Sequence, residues 1–277
     1  MHTILVPTDF SATAKNAALY ALALANQLNA KKIVLYNAYQ TPVIGDAMAP
    51  SIAIIDMESI QDLSQTGLRL QQTELQLSNA NNIEIDILHV FDFLVDGIEQ
   101  VCKDVAADLI VMGITGASGF EEALIGSNTI AVAKHTTVPL IIVPHDAVYK
   151  PIKNVLLACD FKKIIETTPI NIIRSIINSS GAKLFVLHVN HQGDKYSSET
   201  EHEIKMLDSL LQGLNPKYDF AENNDFTEAI NSYATNKDVD LIITIPKKHG
   251  LFEGLFKKSH VKMLAFHSHL PLLTIHE

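Results

Sequence analysis

An internal repeat limits this chain more than any other feature of it. The stretch "ILVPTDFSATAKNAALYALALANQLNAKKIVLYNAY", from Ile4, aligns without a gap on "VLLACDFKKIIETTPINIIRSIINSSGAKLFVLHVN", from Val155. Asp9-Phe10 falls on Asp160-Phe161. Further along, "ADLIVMG" from Ala107 aligns with "VDLIITI" from Val239, and "VPLIIV" with "LPLLTI". The second copy is shorter, with the missing residues in its middle. Two homologous domains follow, 1–147 and 148–277. The join "HDAVYKPIKN" is short and holds Pro151, so the halves are expected to pack on each other rather than swing.

Within each copy, continuous apolar runs alternate with helical periodicity. "TILVP" reads as a strand covered on both faces, and "KIVLYNA", "IEIDILHV", "DLIVMG" and "PLIIVP" as the strands that follow it. Between them lie helices expected over Ser11–Asn29, around Ile60–Ala80, near Phe93–Ala106 and near Ser127–His135. This predicts an α/β fold of two tandem doubly wound domains. Each is a five-stranded parallel sheet in the order 3-2-1-4-5, with helices on both faces. Ligands of such sheets sit beyond the carboxyl ends of the strands, where the order reverses. The first strand ends in Pro7-Thr8-Asp9 and the fourth in Met112-Gly113, so these two loops should face one crevice.

The second of those loops carries Gly113, two residues, Gly116, nine residues, then Gly126-Ser127. A glycine backbone can closely approach a ribose or a phosphate. Gly126-Ser127 opens the next helix, where free N–H groups and the hydroxyls of Ser127 and Thr129 make an anion site. Asp9 supplies an acceptor for a ribose hydroxyl or an adenine amino group. Each residue also has a plainer explanation: a turn for the glycines, a helix cap for Ser127 or Asp9. It is their combination on two facing loops that points to a nucleotide. A net charge of −10 argues against nucleic acid and against broad docking on an anionic membrane. No apolar run approaches the roughly 18 residues that span a bilayer, and no signal peptide is read at the N-terminus. Cys102 and Cys159 read as buried thiols of a reducing compartment. A soluble cytoplasmic protein is the expectation.

The residues Gly113 to Ser127, the early "PTDFS" and the closing "VPLIIVP" resemble the universal stress protein family, in tandem form. Residues 113–127 match the family's Gly-x2-Gly-x9-Gly-Ser/Thr pattern in full, and the likeness extends over the chain twice. The resemblance implies ATP as the ligand. Asp9 and the backbone at Ala38 would hold the adenine end, with Pro7, Thr8 and Met112 in the surrounding wall. The glycine loop would hold ribose and phosphates, with Ser127, Asn128 and Thr129 near the phosphate chain. A divalent ion such as Mg2+ could accompany them, although no protein metal cluster is visible. It implies a stress-response or signalling role.

The loop is not a Walker A loop, because no Gly-Lys-Ser/Thr follows, and no base or arginine finger for phosphoryl transfer is evident. Nucleotide holding is therefore favoured over turnover. Slow ATP hydrolysis and a purely structural, non-binding role are the rival readings. In the second copy Ile245, Lys248 and Lys258 stand where Gly113, Gly116 and Gly126 stand in the first; only the serine survives, as Ser259. That half is not expected to hold ATP. Its Lys247, Lys248, Lys257 and Lys258, with Phe252 and Phe256, read as a solvated helix first, then as a face for a partner, and last as an anion site made by the lysine side chains. His260, His267 and His269 lack a metal-site pattern. The apolar stretch after the second strand reads as a lid or a packed segment. The fifth strands, Val138–Val143 and Leu270–Ile275, could meet within the chain, and whole chains could form a homodimer.

Overall fold

The structure, a computed structural model, describes residues 1–40, 57–114, 127–161, 164–190, 198–245 and 269–275. Thr3–Pro7 form β1, and all five residues are buried. Its side chains alternate between two cores: Ile4 and Val6 face one, Leu5 the other. Such a strand needs helices on both sides. The first helix, α1 (Ala12–Leu28), starts where Ser11 Oγ accepts the Ala14 N–H at 3.2 Å. It stops at Asn29, whose φ of 54° is left-handed. Its inward face is largely small: Ala14, Ala17, Ala18, Ala21 and Ala25. The helix therefore lies close on the sheet.

The first half continues with β2 (Lys32–Tyr39), α2 (Met57–Leu77), β3 (Glu84–Phe91), α3 (Leu94–Asp104), β4 (Leu109–Ile114), α4 (Ser127–His135) and β5 (Leu140–Pro144). The second half begins with β6 (Asn154–Ala158), α5 (Ile164–Thr167) and α6 (Ile170–Ser180). It continues with β7 (Lys183–Asn190), α7 (Ser198–Leu210), β8 (Lys217–Glu222), α8 (Phe226–Asn236), β9 (Leu241–Thr244) and β10 (Leu272–Thr274). The counterpart of α1 is thus two helices. Pro169 lacks the N–H that a continuous helix needs and biases Thr168 away from helical geometry; α6 restarts with Pro169 at its N-cap.

Each half has the order expected, but the sheets are not separate. All ten strands form one sheet, β3-β2-β1-β4-β5-β10-β9-β6-β7-β8. Neighbours are parallel within each half, and the halves join where β5 and β10 pair antiparallel, Ile142 opposite Leu272 and Leu140 opposite Thr274. One face carries α1, α2, α6 and α7; the other carries α3, α4 and α8. No helix among the described residues is long and apolar enough to cross a membrane. Cys102 and Cys159 are buried and form no disulfide, and burial, with Glu99 nearby, pushes the Cys102 thiol up to about 12.

The joining segment is fastened to α1. Gln27 Oε1 accepts the Ile152 N–H at 2.8 Å and the Tyr149 hydroxyl, while its Nε2 donates to Ile152 O at 2.8 Å. Asn16 Nδ2 donates to Ala147 O at 3.0 Å, and Tyr149 packs edge-on against Tyr20 at 5.2 Å. Gln27→Ala leaves both backbone groups of Ile152 unsatisfied in a partly buried setting. It is expected to lower stability by about 2–4 kcal/mol, read from urea unfolding.

Candidate functional site

At the carboxyl end of β1 the chain turns on a left-handed Phe10, φ 66°. A non-glycine residue in this conformation needs support. Thr8 provides it: its Oγ1 accepts the Phe10 N–H at 3.0 Å and donates to Gln71 Oε1 at 2.8 Å. The Thr8 N–H reaches Tyr36 O at 2.8 Å, and Thr8 O accepts from Asn37 Nδ2 at 2.6 Å. Asn37 Oδ1 in turn accepts from Ser64 Oγ at 2.7 Å. A buried polar chain thus runs from α2 through β2 to the turn. Asp9 stands exposed beyond it, its Oδ1 accepting the Ser11 N–H at 3.0 Å. Asp9 therefore stiffens the turn, while the helix cap is Ser11.

Across the switch point, β4 ends at Met112, buried, and Gly113, half-buried. The structure gives Gly113 a packing role: a Cβ there would lie 2.6 Å from Thr13 O and 2.7 Å from Thr13 Cγ2. The bare backbone lets the first turn of α1 close on the end of β4. Gly113 O accepts the Thr129 hydroxyl at 2.8 Å, tying α4 to the same point. Thr129 is buried and Asn128 exposed. Ala38, near the end of β2, is half-buried, and Pro7 is buried. So Pro7, Thr8, Asp9, Met112, Gly113, Asn128 and Thr129 gather around the β1/β4 ends, with Ala38 one strand away. Ser127 opens α4. Gly116 and Gly126 lie outside the described residues, as do Lys248, Lys258 and Ser259.

The polar residues Asn37, Ser64 and Gln71 escaped the sequence reading. Their signal was present, since Ser64, Leu68, Gln71 and Leu75 form the buried stripe of α2, and polar side chains on such a stripe need internal partners.

The second half repeats the frame with other atoms. The Cys159 N–H reaches Leu187 O at 3.0 Å, the Phe161 N–H meets Cys159 Sγ at 3.4 Å, and His188 Nδ1 lies 2.8 Å from Cys159 O. Phe161 is also left-handed, φ 49°. But Phe161 packs on His188 at 5.0 Å and Phe220 at 5.9 Å, and Asp160 is only 4% exposed. Ile245, at the position of Gly113, is buried.

In a doubly wound sheet the switch point, where this polar turn and glycine meet, is the place at which ligands ordinarily sit. Residues 1–144 match the model of the universal stress protein family, and the chain belongs to that family. Two universal stress proteins of Methanocaldococcus jannaschii are each 27% identical to it, over 140 and 151 residues, half of this chain and 80% and 93% of theirs. A solved universal stress protein from Archaeoglobus fulgidus aligns with 99% of this chain and 98% of its own, at 19% identity and a TM-score of 0.74. That likeness extends the fold to both halves.

Gly113→Ala would drive its methyl into the Thr13 backbone, which cannot yield without moving α1. A loss of about 1–3 kcal/mol is expected, measured as a lower denaturant midpoint.

Proposed function

We infer that the half spanning 1–147 binds an adenine nucleotide, ATP, at the β1/β4 crevice, and that the half spanning 148–277 does not. The observation that carries this is the contrast between Asp9 and Asp160. Both sit on the same hydrogen-bonded turn, yet one is exposed at the switch point and the other is 4% exposed. A ribose or adenine can reach only the first.

The other described groups fit such a ligand. Ala38 offers main chain beside the turn, and Gly113, packed against Thr13, fixes the end of β4 next to it. The opening turn of α4 has N–H groups without intrahelical partners, suited to phosphate oxygens. Thr129 has its hydroxyl hydrogen committed to Gly113 O, so it positions α4 rather than donating to phosphate. Among the described residues no group of three or more His, Cys, Asp or Glu is placed to hold a metal. A Mg2+ ion would be held chiefly by the phosphates. Occupancy, rather than turnover, is the signal this stress-response module would carry, with the second half acting as a packing partner.

Calorimetry with ATP on the full chain is expected to give about one site per chain. Asp9→Asn keeps an oxygen for the Ser11 N–H yet removes the charge, and should weaken ATP by about tenfold or more. Asp160→Asn should leave affinity unchanged. No binding by the parent chain would overturn the reading for the first half; two sites per chain would overturn it for the second.

A further inference from the structure

A cavity of about 580 Å3 opens at the seam of the two halves, within the usual size for a small-molecule site. It lies between α1, the segment after β5, the end of α8 and the starts of β9 and β10. Asp146, Asp238 and Asp240 line it, with Lys150 and His269 also in the wall. Acidic side chains alone would mean little. Tyr20, however, also lines this cavity, is only 3% exposed, and its hydroxyl has no hydrogen-bond partner among the described residues. A tyrosine so largely buried, its hydroxyl without a protein partner, ordinarily has a ligand or water on that hydroxyl.

The carboxylates point the same way. Asp240 takes the Lys153 and Asn154 N–H groups, at 2.8 and 3.0 Å, both on Oδ2. Its Oδ1 keeps its acceptor capacity. The equivalent aspartate of the first half, Asp108, also uses Oδ2 for two N–H groups, at the start of β1, so this part of Asp240 is structural and only Oδ1 remains for other use. Asp146 accepts from His269 Nδ1 at 2.7 Å. Burial works against its ionisation, but the His269 contact prevails and holds the carboxyl below its ordinary value. Asp238 stands exposed at the rim, on a left-handed residue after α8. Lys150 makes no ion pair among the described residues, so the acidic groups are not neutralised by the one lysine that shares the cavity. Val148, Val239 and Leu270 make an apolar part of the wall, and Asn231 and Thr235 add polar groups beside it.

We propose that this seam cavity binds a small organic ammonium compound, its NH3+ group held between the Tyr20 hydroxyl, Asp240 Oδ1 and Asp238, and its carbon skeleton against the apolar wall. The site is separate from the nucleotide crevice and does not depend on that crevice being occupied.

The test uses the full chain without nucleotide and 1,4-diaminobutane as probe, titrated by calorimetry at physiological salt. Saturable binding near one equivalent is expected. Tyr20→Phe removes only an unpartnered hydroxyl and should raise Kd about five- to tenfold. Asp238→Asn, in a backbone conformation that asparagine accepts, should raise it about tenfold. Asp62→Asn, on the exposed face of α2, lowers the total negative charge equally and should change nothing. Absence of saturable binding overturns the proposal, as does an unchanged Kd in Tyr20→Phe or an equal loss in Asp62→Asn and Asp238→Asn.

Discussion

The rest of the molecule depends on three residue pairs between β5 and β10. Leu140, Ile141 and Ile142 face Thr274, Leu273 and Leu272 in antiparallel register, and all six are buried. Each strand is the terminal strand of its own half. Left open, each would present a row of unpaired backbone groups flanked by apolar side chains, a poor surface to leave in water. Pairing them satisfies both at once and turns two sheets into one. It also fixes the path of residues 145–153, which must travel from the end of β5 to the start of β6 alongside α1. Gln27 and Asn16 hold that path on the α1 side and Asp240 holds its end at Lys153, and the seam cavity is the space that remains beside it.

Much of this architecture could be read from the sequence, and for a physical reason. Strands buried on both faces need near-continuous apolar runs, and those runs, duplicated, disclosed both the strands and their order. The break at Pro169 was also written in the chain, but a gapless alignment concealed it, because an alignment compares positions and a helix responds to a missing N–H. The network of Thr8, Asn37, Ser64 and Gln71 was harder to find. It is made by residues far apart in sequence, and only the fold places Ser64 and Gln71 under the turn. The role of Gly113 was only half legible. Bare backbone at that point was expected to serve a ligand; the fold adds a second need for it, since a Cβ there would meet Thr13. The burial of Asp160 could not be seen at all, since it depends on tertiary packing that the local sequence does not carry.

The two turns show how exposure at a turn can diverge while the fold persists. Phe10 and Phe161 share a left-handed backbone, a conformation that costs about 1–3 kcal/mol. Thr8 and Cys159 both brace it, through oxygen in one case and sulfur in the other. Asn37 and His188 both approach the preceding carbonyl. The backbone frame is therefore retained, and the difference lies in which side chain meets solvent at its tip.

The antiparallel junction has one more consequence. Strands of the first half point one way along the sheet and strands of the second half point the other. The β1/β4 crevice thus opens beyond one end of the molecule, and its buried counterpart lies at the opposite end. A molecule resting at one of these ends lies across the full length of the strands from the other and touches none of its residues.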